Sequence, residues 1–400
     1  MIKVREVLEL ENTIEFKSDV SDSKRLKYRA NYGFVRSLCK IAVEDVKEAA
    51  EEFKDFENFV QVGIGGSALP ATAALSFLGG IYSNYTSKKR YFVLDNIDPE
   101  RIEFILNLNL EKTLFHVVSK SGSTIETIAQ FSTIYKHLTK IFGNKAHKHF
   151  VFTTSDKGFL YEFAQKNNIK IFLIPDEVGG RYSVFTPVAV FPLAFFGYDV
   201  DGFIEGGKTA VRGYRNGFDL PNDFALFAVE SYKEGKNMLV FFAYKDRLAK
   251  IGEWFRQLWA ESLGKNGKGQ TPIEAVGVTD QHSQLQLYQD GPSDKAFVFV
   301  DMPCKTDFAV DDKTIWQYKT GSLCKIMEIE KNATLKALKE KGLAVSELFL
   351  KRTDEFGLAS LLMLLMIATV KAGEILGVDP FDQPGVEKSK KYAKEELKNG

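Results

Sequence analysis

The stretch Leu114-Phe-His-Val-Val-Ser-Lys-Ser-Gly-Ser-Thr-Ile-Glu-Thr127 joins an apolar strand pattern to a hydroxyl-rich turn and the start of a helix. Further short apolar runs lie on either side of it, at residues 59–63, 91–95, 149–153 and 169–174. Segments of helical length and mixed polarity separate these runs. Strands that alternate with helices predict a mainly parallel sheet covered by helices on both faces, with ligands at the carboxyl ends of the strands.

A second alternation of strands and helices begins near residue 238, after the glycine-rich stretch 202–217. A chain of 400 residues is long enough for two ordinary domains, and the glycines favour a boundary between them. We therefore predict an α/β protein with two domains. Residues 1–205 hold an N-terminal helical segment and the first domain, and residues 206–400 hold the second domain with a C-terminal helix.

The charge balance limits the classes of partner. Lys and Arg total 53, and Asp and Glu also total 53, so the chain lacks the basic surplus of a nucleic-acid binder. The most apolar stretch, residues 358–370, is shorter than the roughly 20 residues that a membrane helix needs. It predicts a buried core helix and no membrane partner.

The three cysteines, Cys39, Cys304 and Cys324, are far apart, odd in number and without the spacing of a metal site. This pattern favours a reducing compartment and predicts neither a disulfide framework nor a zinc site. The N-terminus is charged and lacks the apolar stretch of a signal peptide. We therefore expect a cytoplasmic protein.

The turn after the strand at residues 114–118 contains four hydroxyl side chains, on Ser119, Ser121, Thr124 and Thr127. It leads into a helix, whose unpaired N–H groups and positive dipole end favour an anion. A phosphate monoester suits such a turn. A helix-capping box in the same turn would require only one of these hydroxyls.

A glycine turn, Val62-Gly-Ile-Gly-Gly-Ser-Ala68, follows the first strand of the predicted sheet and permits two interpretations. Its spacing fits a dinucleotide-binding fingerprint, for which Asp95 could bind the ribose. Alternatively, Gly66 and Ser67 could bring a small ligand against bare backbone with a hydroxyl in reach.

Two further segments contain charged side chains suited to catalysis. Arg181 follows the Gly179-Gly180 turn and could stabilise an oxyanion, although a surface arginine after such a turn is also ordinary. Gln257 and Glu261 lie one helical turn apart among aromatic residues. Those neighbours would desolvate the Glu261 carboxylate, which favours a general base, although most such glutamates are solvated.

Three polar residues in the C-terminal half of the chain are weaker candidates for a functional role. His282 lies in a polar stretch between elements, where an imidazole could exchange protons. Gln383 precedes a proline and could face a ligand. Lys390 belongs to a charge run, a pattern that usually marks a solvated face.

Taken together and in this order, these motifs resemble the phosphoglucose isomerase family. The resemblance is carried by six motifs, which are Gly65-Gly-Ser67, Ser119-Lys-Ser-Gly-Ser-Thr-Ile-Glu-Thr127, Gly179-Gly-Arg-Tyr-Ser183, Ala260-Glu-Ser-Leu-Gly-Lys265, Gln281-His282 and Phe381-Asp-Gln-Pro-Gly-Val-Glu387. It implies two sugar-isomerase (SIS-type) domains, each a mainly parallel sheet flanked by helices. It also implies reversible conversion of glucose 6-phosphate and fructose 6-phosphate through a cis-enediolate, without cofactor or metal.

The resemblance assigns a role to each candidate residue. It implies a phosphate site formed by Ser119, Lys120, Ser121, Thr124 and Thr127. It implies a sugar site lined by Gly66, Ser67, Gly180, Gln257 and Gln383. Among the catalytic residues, Glu261 would be the base and Arg181 would stabilise the enediolate. His282 would open the sugar ring together with Lys390, which is chosen by its distance along the sequence from the motif at residues 381–387. In this family the histidine comes from the neighbouring subunit, so a homodimer with composite sites is implied.

Three alternatives remain open at this point. A sugar-phosphate sensor on the same fold would not need both Glu261 and His282. A nicotinamide dehydrogenase would leave the hydroxyl-rich turn unexplained. An isomerase of another sugar phosphate, such as that of mannose or an amino sugar, is the nearest rival.

Overall fold

Two five-stranded sheets form the centre of the fold, which a computed structural model describes for residues 5–18, 26–319 and 321–399. The strands of the first sheet are β2 (Asn58–Val62), β3 (Arg90–Leu94), β4 (Thr113–Ser119), β5 (Phe150–Thr154) and β6 (Lys170–Leu173). Those of the second sheet are β1 (Ile14–Lys17), β7 (Met238–Ala243), β8 (Thr271–Val276), β9 (Lys295–Asp301) and β10 (Ala344–Leu350).

The helices cover both sheets. They are α1 (Arg5–Thr13), α2 (Gly33–Leu38), α3 (Val43–Glu52), α4 (Leu69–Gly79), α5 (Ser83–Thr86), α6 (Pro99–Leu106), α7 (Ile125–Phe142), α8 (Phe159–Asn167), α9 (Pro187–Phe195), α10 (Val200–Arg215), α11 (Leu220–Lys233), α12 (Asp246–Leu263), α13 (Leu285–Asp290), α14 (Leu323–Glu340), α15 (Glu355–Leu376) and α16 (Glu387–Asn399).

Both sheets have the same arrangement of parallel strands. The first runs β3-β2-β4-β5-β6, and the second runs β1-β10-β9-β7-β8, with only β1 antiparallel to its neighbour. Alternate residues of the inner strands face a common apolar core between the sheets, while the others face smaller outer cores. The prediction of mainly parallel sheets flanked by helices is confirmed.

The apolar segment at residues 358–370 lies within α15. This helix is long and apolar enough to cross a membrane by length and composition. Its most apolar window is entirely buried in the protein, where α15 packs against α10, α11 and α12. The prediction of a core helix is confirmed.

The glycine-rich stretch 202–217 is not an irregular break, because most of it belongs to α10. A Cβ atom on Gly206 would lie 2.2 Å from the carbonyl oxygen of Phe356 in α15. Glycine is therefore required where the two helices approach each other closely. The division at residues 205 and 206 falls inside this helix and stays a prediction. The N-terminal segment, predicted to be helical, contributes β1 to the second sheet.

The prediction of a chain without a disulfide is wrong. Cys304 and Cys324 are disulfide-bonded, with their Cα atoms 6.4 Å apart, whereas Cys39 is free and exposed. The chain between them folds back on itself, because the Leu323 N–H donates to the carbonyl oxygen of Phe308 at 3.0 Å. Spacing along the sequence cannot show such a return.

Candidate active site

Three hydroxyl groups converge at the carboxyl end of β4. The Ser119 Oγ lies 2.9 Å from the Thr124 Oγ1, and the Ser121 Oγ lies 3.5 Å from each of them. They adjoin the first residue of α7, an 18-residue helix whose N-terminal N–H groups can bind an anion. Thr127, one turn further, is buried, and its Oγ1 has no hydrogen-bond partner among the described residues.

The backbone at Lys120 is held in place beside these hydroxyls. Its carbonyl oxygen accepts hydrogen bonds from the Ser155 N–H at 3.2 Å and the Ser155 Oγ at 2.7 Å. Its side chain points elsewhere and donates to the carbonyl oxygen of Asp176 at 2.7 Å. Lys120 is therefore placed to contribute its peptide group to the hydroxyl cluster.

The glycine turn after β2 packs tightly against the turn that contains Arg181. A Cβ atom on Gly66 would lie 2.1 Å from the carbonyl carbon of Gly180, so only glycine fits there. The Ser183 Oγ donates to the carbonyl oxygen of Gly66 at 2.9 Å. These contacts place Ser67, which is half-buried, in the same region as the Arg181 turn.

The Arg181 guanidinium joins this turn to the segment before α16. Its side chain is only 2% exposed. Its Nη2 donates to the carbonyl oxygens of Pro380 and Asp382 at 2.7 and 2.9 Å, and its Nη1 donates to the Gln383 Oε1 at 2.8 Å. A planar guanidinium can serve several acceptors at once, which a lysine ammonium cannot do in this geometry.

Glu261 lies between two hydrogen-bond donors on the open side of α12. The Gln257 Nε2 donates to its Oε1 at 3.0 Å, and the Arg181 Nη1 lies 3.3 Å from its Oε2. A Cβ atom on Gly65 would lie 2.7 Å from the Gln257 Nε2, so this pair adjoins the glycine turn. The structure thus brings Gly66, Ser67, Gly180, Arg181, Gln257, Glu261 and Gln383 into one region.

The Glu261 carboxylate is less desolvated than the sequence predicts. Its side chain is 35% exposed. The neighbouring residues Trp254, Phe255, Leu258 and Trp259 are buried in the apolar core, but they do not cover the Glu261 side chain completely. The carboxylate is therefore oriented by hydrogen bonds and remains accessible to a ligand.

Sequence reasoning missed two residues that support Arg181. The Arg181 Nε donates to the Ser262 Oγ at 2.8 Å, and the Tyr182 hydroxyl lies 2.9 Å from that same Oγ. Burial raises the pKa of Tyr182 to about 12, so its hydroxyl stays protonated. The only signal in the sequence was that these residues directly follow Glu261 and Arg181.

His282 and Lys390 are not brought to this region by any contact of the described residues. His282 is exposed, in a turn that follows β8. The Lys390 Nζ lies 3.0 Å from the Glu387 Oε1 on the exposed helix α16. Their catalytic roles stay predictions.

The sequence profile of the phosphoglucose isomerase family matches residues 31–291, more than half of the chain. The chain belongs to the phosphoglucose isomerase family. It is 36% identical to a probable glucose-6-phosphate isomerase of Methanococcus maripaludis, over 93% of this chain and 85% of that protein. It is also 36% identical to a glucose-6-phosphate isomerase of Thermus thermophilus, over 89% of this chain and 87% of that one. The predicted phosphoglucose isomerase family and enzyme class are confirmed.

Solved structures agree with this phosphoglucose isomerase fold. A hypothetical protein of Thermus thermophilus matches with a TM-score of 0.85 and 35% identity, over 91% of this chain and 90% of that chain. A glucose-6-phosphate isomerase of Chlamydia trachomatis matches with a TM-score of 0.80 at 21% identity, over 98% of this chain and 83% of that chain, which supports the fold alone.

The dehydrogenase interpretation of the glycine turn is wrong. The Asp95 carboxylate, expected to bind a ribose, pairs instead with the Arg101 Nη1 at 2.6 Å. The tight packing of Gly66 on Gly180 explains the glycines in another way, because they allow two turns of the candidate site to approach each other closely.

Proposed function

We propose that this chain interconverts glucose 6-phosphate and fructose 6-phosphate at the region formed by the hydroxyl cluster, Glu261 and Arg181. The observation that carries the mechanism is the Glu261 carboxylate, oriented by Gln257 and faced by the buried Arg181 guanidinium. Family membership supports the substrates. An assay that couples fructose 6-phosphate conversion to a dehydrogenase specific for glucose 6-phosphate tests the proposal directly.

The phosphate of the substrate binds at the hydroxyl cluster and the N-terminus of α7. Ser119, Ser121, Thr124 and Thr127 donate their hydroxyl protons to its oxygens, and the backbone near Lys120 contributes an N–H. The phosphate is remote from the reacting carbons. Its binding energy therefore holds the open chain in register for proton transfer.

The Glu261 carboxylate removes the proton from C2 of the open aldose and returns it to C1. The electron pair of the broken C–H bond forms the C1–C2 double bond of a cis-enediolate, and the carbonyl pair of C1 moves onto O1, where negative charge develops. The hydroxyl proton passes from O2 to O1, and when C1 takes the carbon-bound proton the electron pair on O2 re-forms a carbonyl at C2. Arg181 keeps its own proton throughout and stabilises that charge. Gln257 holds the carboxylate in the orientation that both transfers require.

Replacing both Thr124 and Thr127 by valine should weaken substrate binding. Each lost hydrogen bond to a charged phosphate oxygen costs about 1.5–3 kcal/mol, so we expect KM to rise at least about tenfold. Steady-state kinetics with fructose 6-phosphate provide the measurement. Thr133→Val, at an exposed position of the same helix, is the matched control. An unchanged KM in the double variant would place the phosphate elsewhere.

Ring opening is assigned to His282 together with Lys390, in a homodimer with composite sites. The exposure of His282 supports this assignment, since an exposed imidazole can reach the active site of a second copy. The imidazole and the ammonium transfer protons to and from the ring oxygen and the anomeric hydroxyl. A cytoplasmic location is part of the same proposal.

Mixing two strongly impaired variants, Glu261→Gln and His282→Ala, tests the composite site. If each site takes Glu261 from one subunit and His282 from the other, a mixed dimer holds one intact site and one doubly defective site. Random reassortment should then restore about a quarter of the wild-type activity. If both residues come from the same subunit, no intact site forms and activity stays at the low level of the separate variants. The measurement is activity after co-refolding or co-expression of the two variants.

A further inference from the structure

The second sheet has a crevice in the position that the active site occupies in the first sheet. In each sheet the chain reverses its direction of strand order at one inner strand. In the first sheet β3 and β4 lie on opposite sides of β2, and in the second sheet β8 and β9 lie on opposite sides of β7. Ligands of such sheets bind outside the carboxyl ends of the strands where this reversal occurs. In the first sheet this point lies between β2 and β4, beside the hydroxyl cluster. In the second sheet it lies between β7 and β9.

A cavity of about 570 Å³ is located at this point of the second sheet. Lys245 and Arg247, which follow β7, line one side, and residues 302–306, which follow β9, line another. A volume of this size is typical of small-molecule sites. The cavity is formed by residues outside the catalytic region described above.

A buried cluster beside this cavity carries a surplus positive charge. The Lys245 Nζ lies 3.0 Å from the Asp301 Oδ1, and the Lys331 Nζ lies 2.8 Å from the Asp301 Oδ2. All three side chains are at most 15% exposed. Two ammonium groups thus share one carboxylate, and Lys245 also lines the cavity. An anion bound there would compensate the remaining charge.

Two more cations line the cavity. The Arg247 Nη1 donates at 2.7 Å to the carbonyl oxygens of Phe77 and Leu78, which anchors the guanidinium without neutralising it. Lys305 lies at the rim, and no hydrogen bond or ion pair of its ammonium to a described residue is present. Asp246 is the acidic residue among those that line the cavity, and it is exposed.

Nearby carboxylates compensate only part of the positive charge at the cavity. Burial and the neighbouring Arg247 disfavour the charged form of Lys305, whereas Glu355 and Asp354 favour it. The first two effects are the larger, so the Lys305 pKa is lowered. Asp354 is already engaged by the Arg352 Nε at 2.7 Å. The surroundings of the cavity therefore retain a positive potential.

The remaining wall is mainly apolar, although Ser83, Thr86 and Thr306 belong to it, and it includes two exposed aromatic side chains. Tyr82 and Phe308 are 67% and 66% exposed, whereas Met302 is buried at 3%. The disulfide of Cys304 and Cys324 also lines the cavity and fixes this wall. Exposed rings offer stacking faces for a planar group. We propose that the crevice binds a nucleoside phosphate, with its phosphates at Lys245, Arg247 and Lys305 and its base against Tyr82 and Phe308.

Calorimetric titration of the full chain with ATP tests this proposal, with adenosine and pyrophosphate as partial probes. We expect ATP to bind more tightly than either fragment and to remain bound in excess fructose 6-phosphate, which occupies the catalytic site. Lys305→Gln should weaken ATP binding about tenfold through the lost charge. Tyr82→Ala should weaken ATP and leave pyrophosphate unchanged. Lys313→Gln, in the same loop but outside the cavity, is the matched control.

The proposal would be overturned if ATP did not bind, if fructose 6-phosphate displaced ATP, or if the Lys305→Gln and Lys313→Gln variants bound ATP equally well. Pyrophosphate binding as tight as that of ATP would overturn the role of the rings. Isomerase activity should be normal in all three variants, so a failure here is distinguishable from a failure of the proposed catalytic function.

Discussion

Glu261→Gln is expected to lower turnover by about 10²- to 10⁴-fold, the usual contribution of a positioned general base. The amide keeps the size of the carboxylate and can still accept a hydrogen bond from Gln257 or Arg181, but it cannot take a proton from carbon. Affinity for the sugar-acid phosphate 6-phosphogluconate should stay close to the wild-type value, since the proposed phosphate site is formed by other residues. Turnover from the coupled assay and affinity from competitive inhibition provide the two measurements.

Glu253→Gln is the matched control for this variant. Glu253 lies two turns earlier on α12 and pairs with Lys250. The same chemical change at that position should leave turnover within about twofold, as surface substitutions usually do. If Glu261→Gln keeps most of its turnover, another group removes the proton. If it loses affinity and turnover equally, Glu261 serves mainly to shape the site.

The sheets were predictable because several of their inner strands are buried on both faces. Such strands form short continuous apolar runs, as at β2, β4 and β5, and these runs stand out against the intervening helices. The strand β1 was missed because it is a four-residue edge strand whose partner, β10, is more than 300 residues away in the chain. The helix α10 was mistaken for a break because its glycines serve close packing, of Gly206 against α15, of Gly207 against Phe185 and of Gly213 against α1.

The part of the candidate site whose functional groups lie within one short segment of sequence was predictable. The hydroxyls of Ser119, Ser121 and Thr124 lie within six consecutive residues, so a turn brings them together. The network around Arg181 was not predictable in the same way. It joins the turn after β6 to α12 and to residues 380–383, and only the tertiary fold places those acceptors around one guanidinium.

Arg181→Lys is expected to impair both catalysis and the structure of the site. The guanidinium donates in several directions at once, to Ser262, to Gln383 and to two backbone carbonyls, and it also faces Glu261. A lysine ammonium has three donors on one atom and cannot reach all of these acceptors. Buried carbonyl oxygens without a donor cost about 1–3 kcal/mol each, so the free energy of unfolding should fall by at least about 1 kcal/mol.

The catalytic loss should exceed what this destabilisation explains. Removing one preorganised donor to a developing oxyanion costs about 10²- to 10³-fold in kcat, and we expect a loss of that size for the folded variant. Urea unfolding and kcat measured on the same sample separate the two effects. Arg256→Lys, at an exposed arginine of α12 that pairs with Glu274, should change neither. A folded Arg181→Lys protein with wild-type kcat would show that the guanidinium holds residues 380–383 and does not stabilise the enediolate.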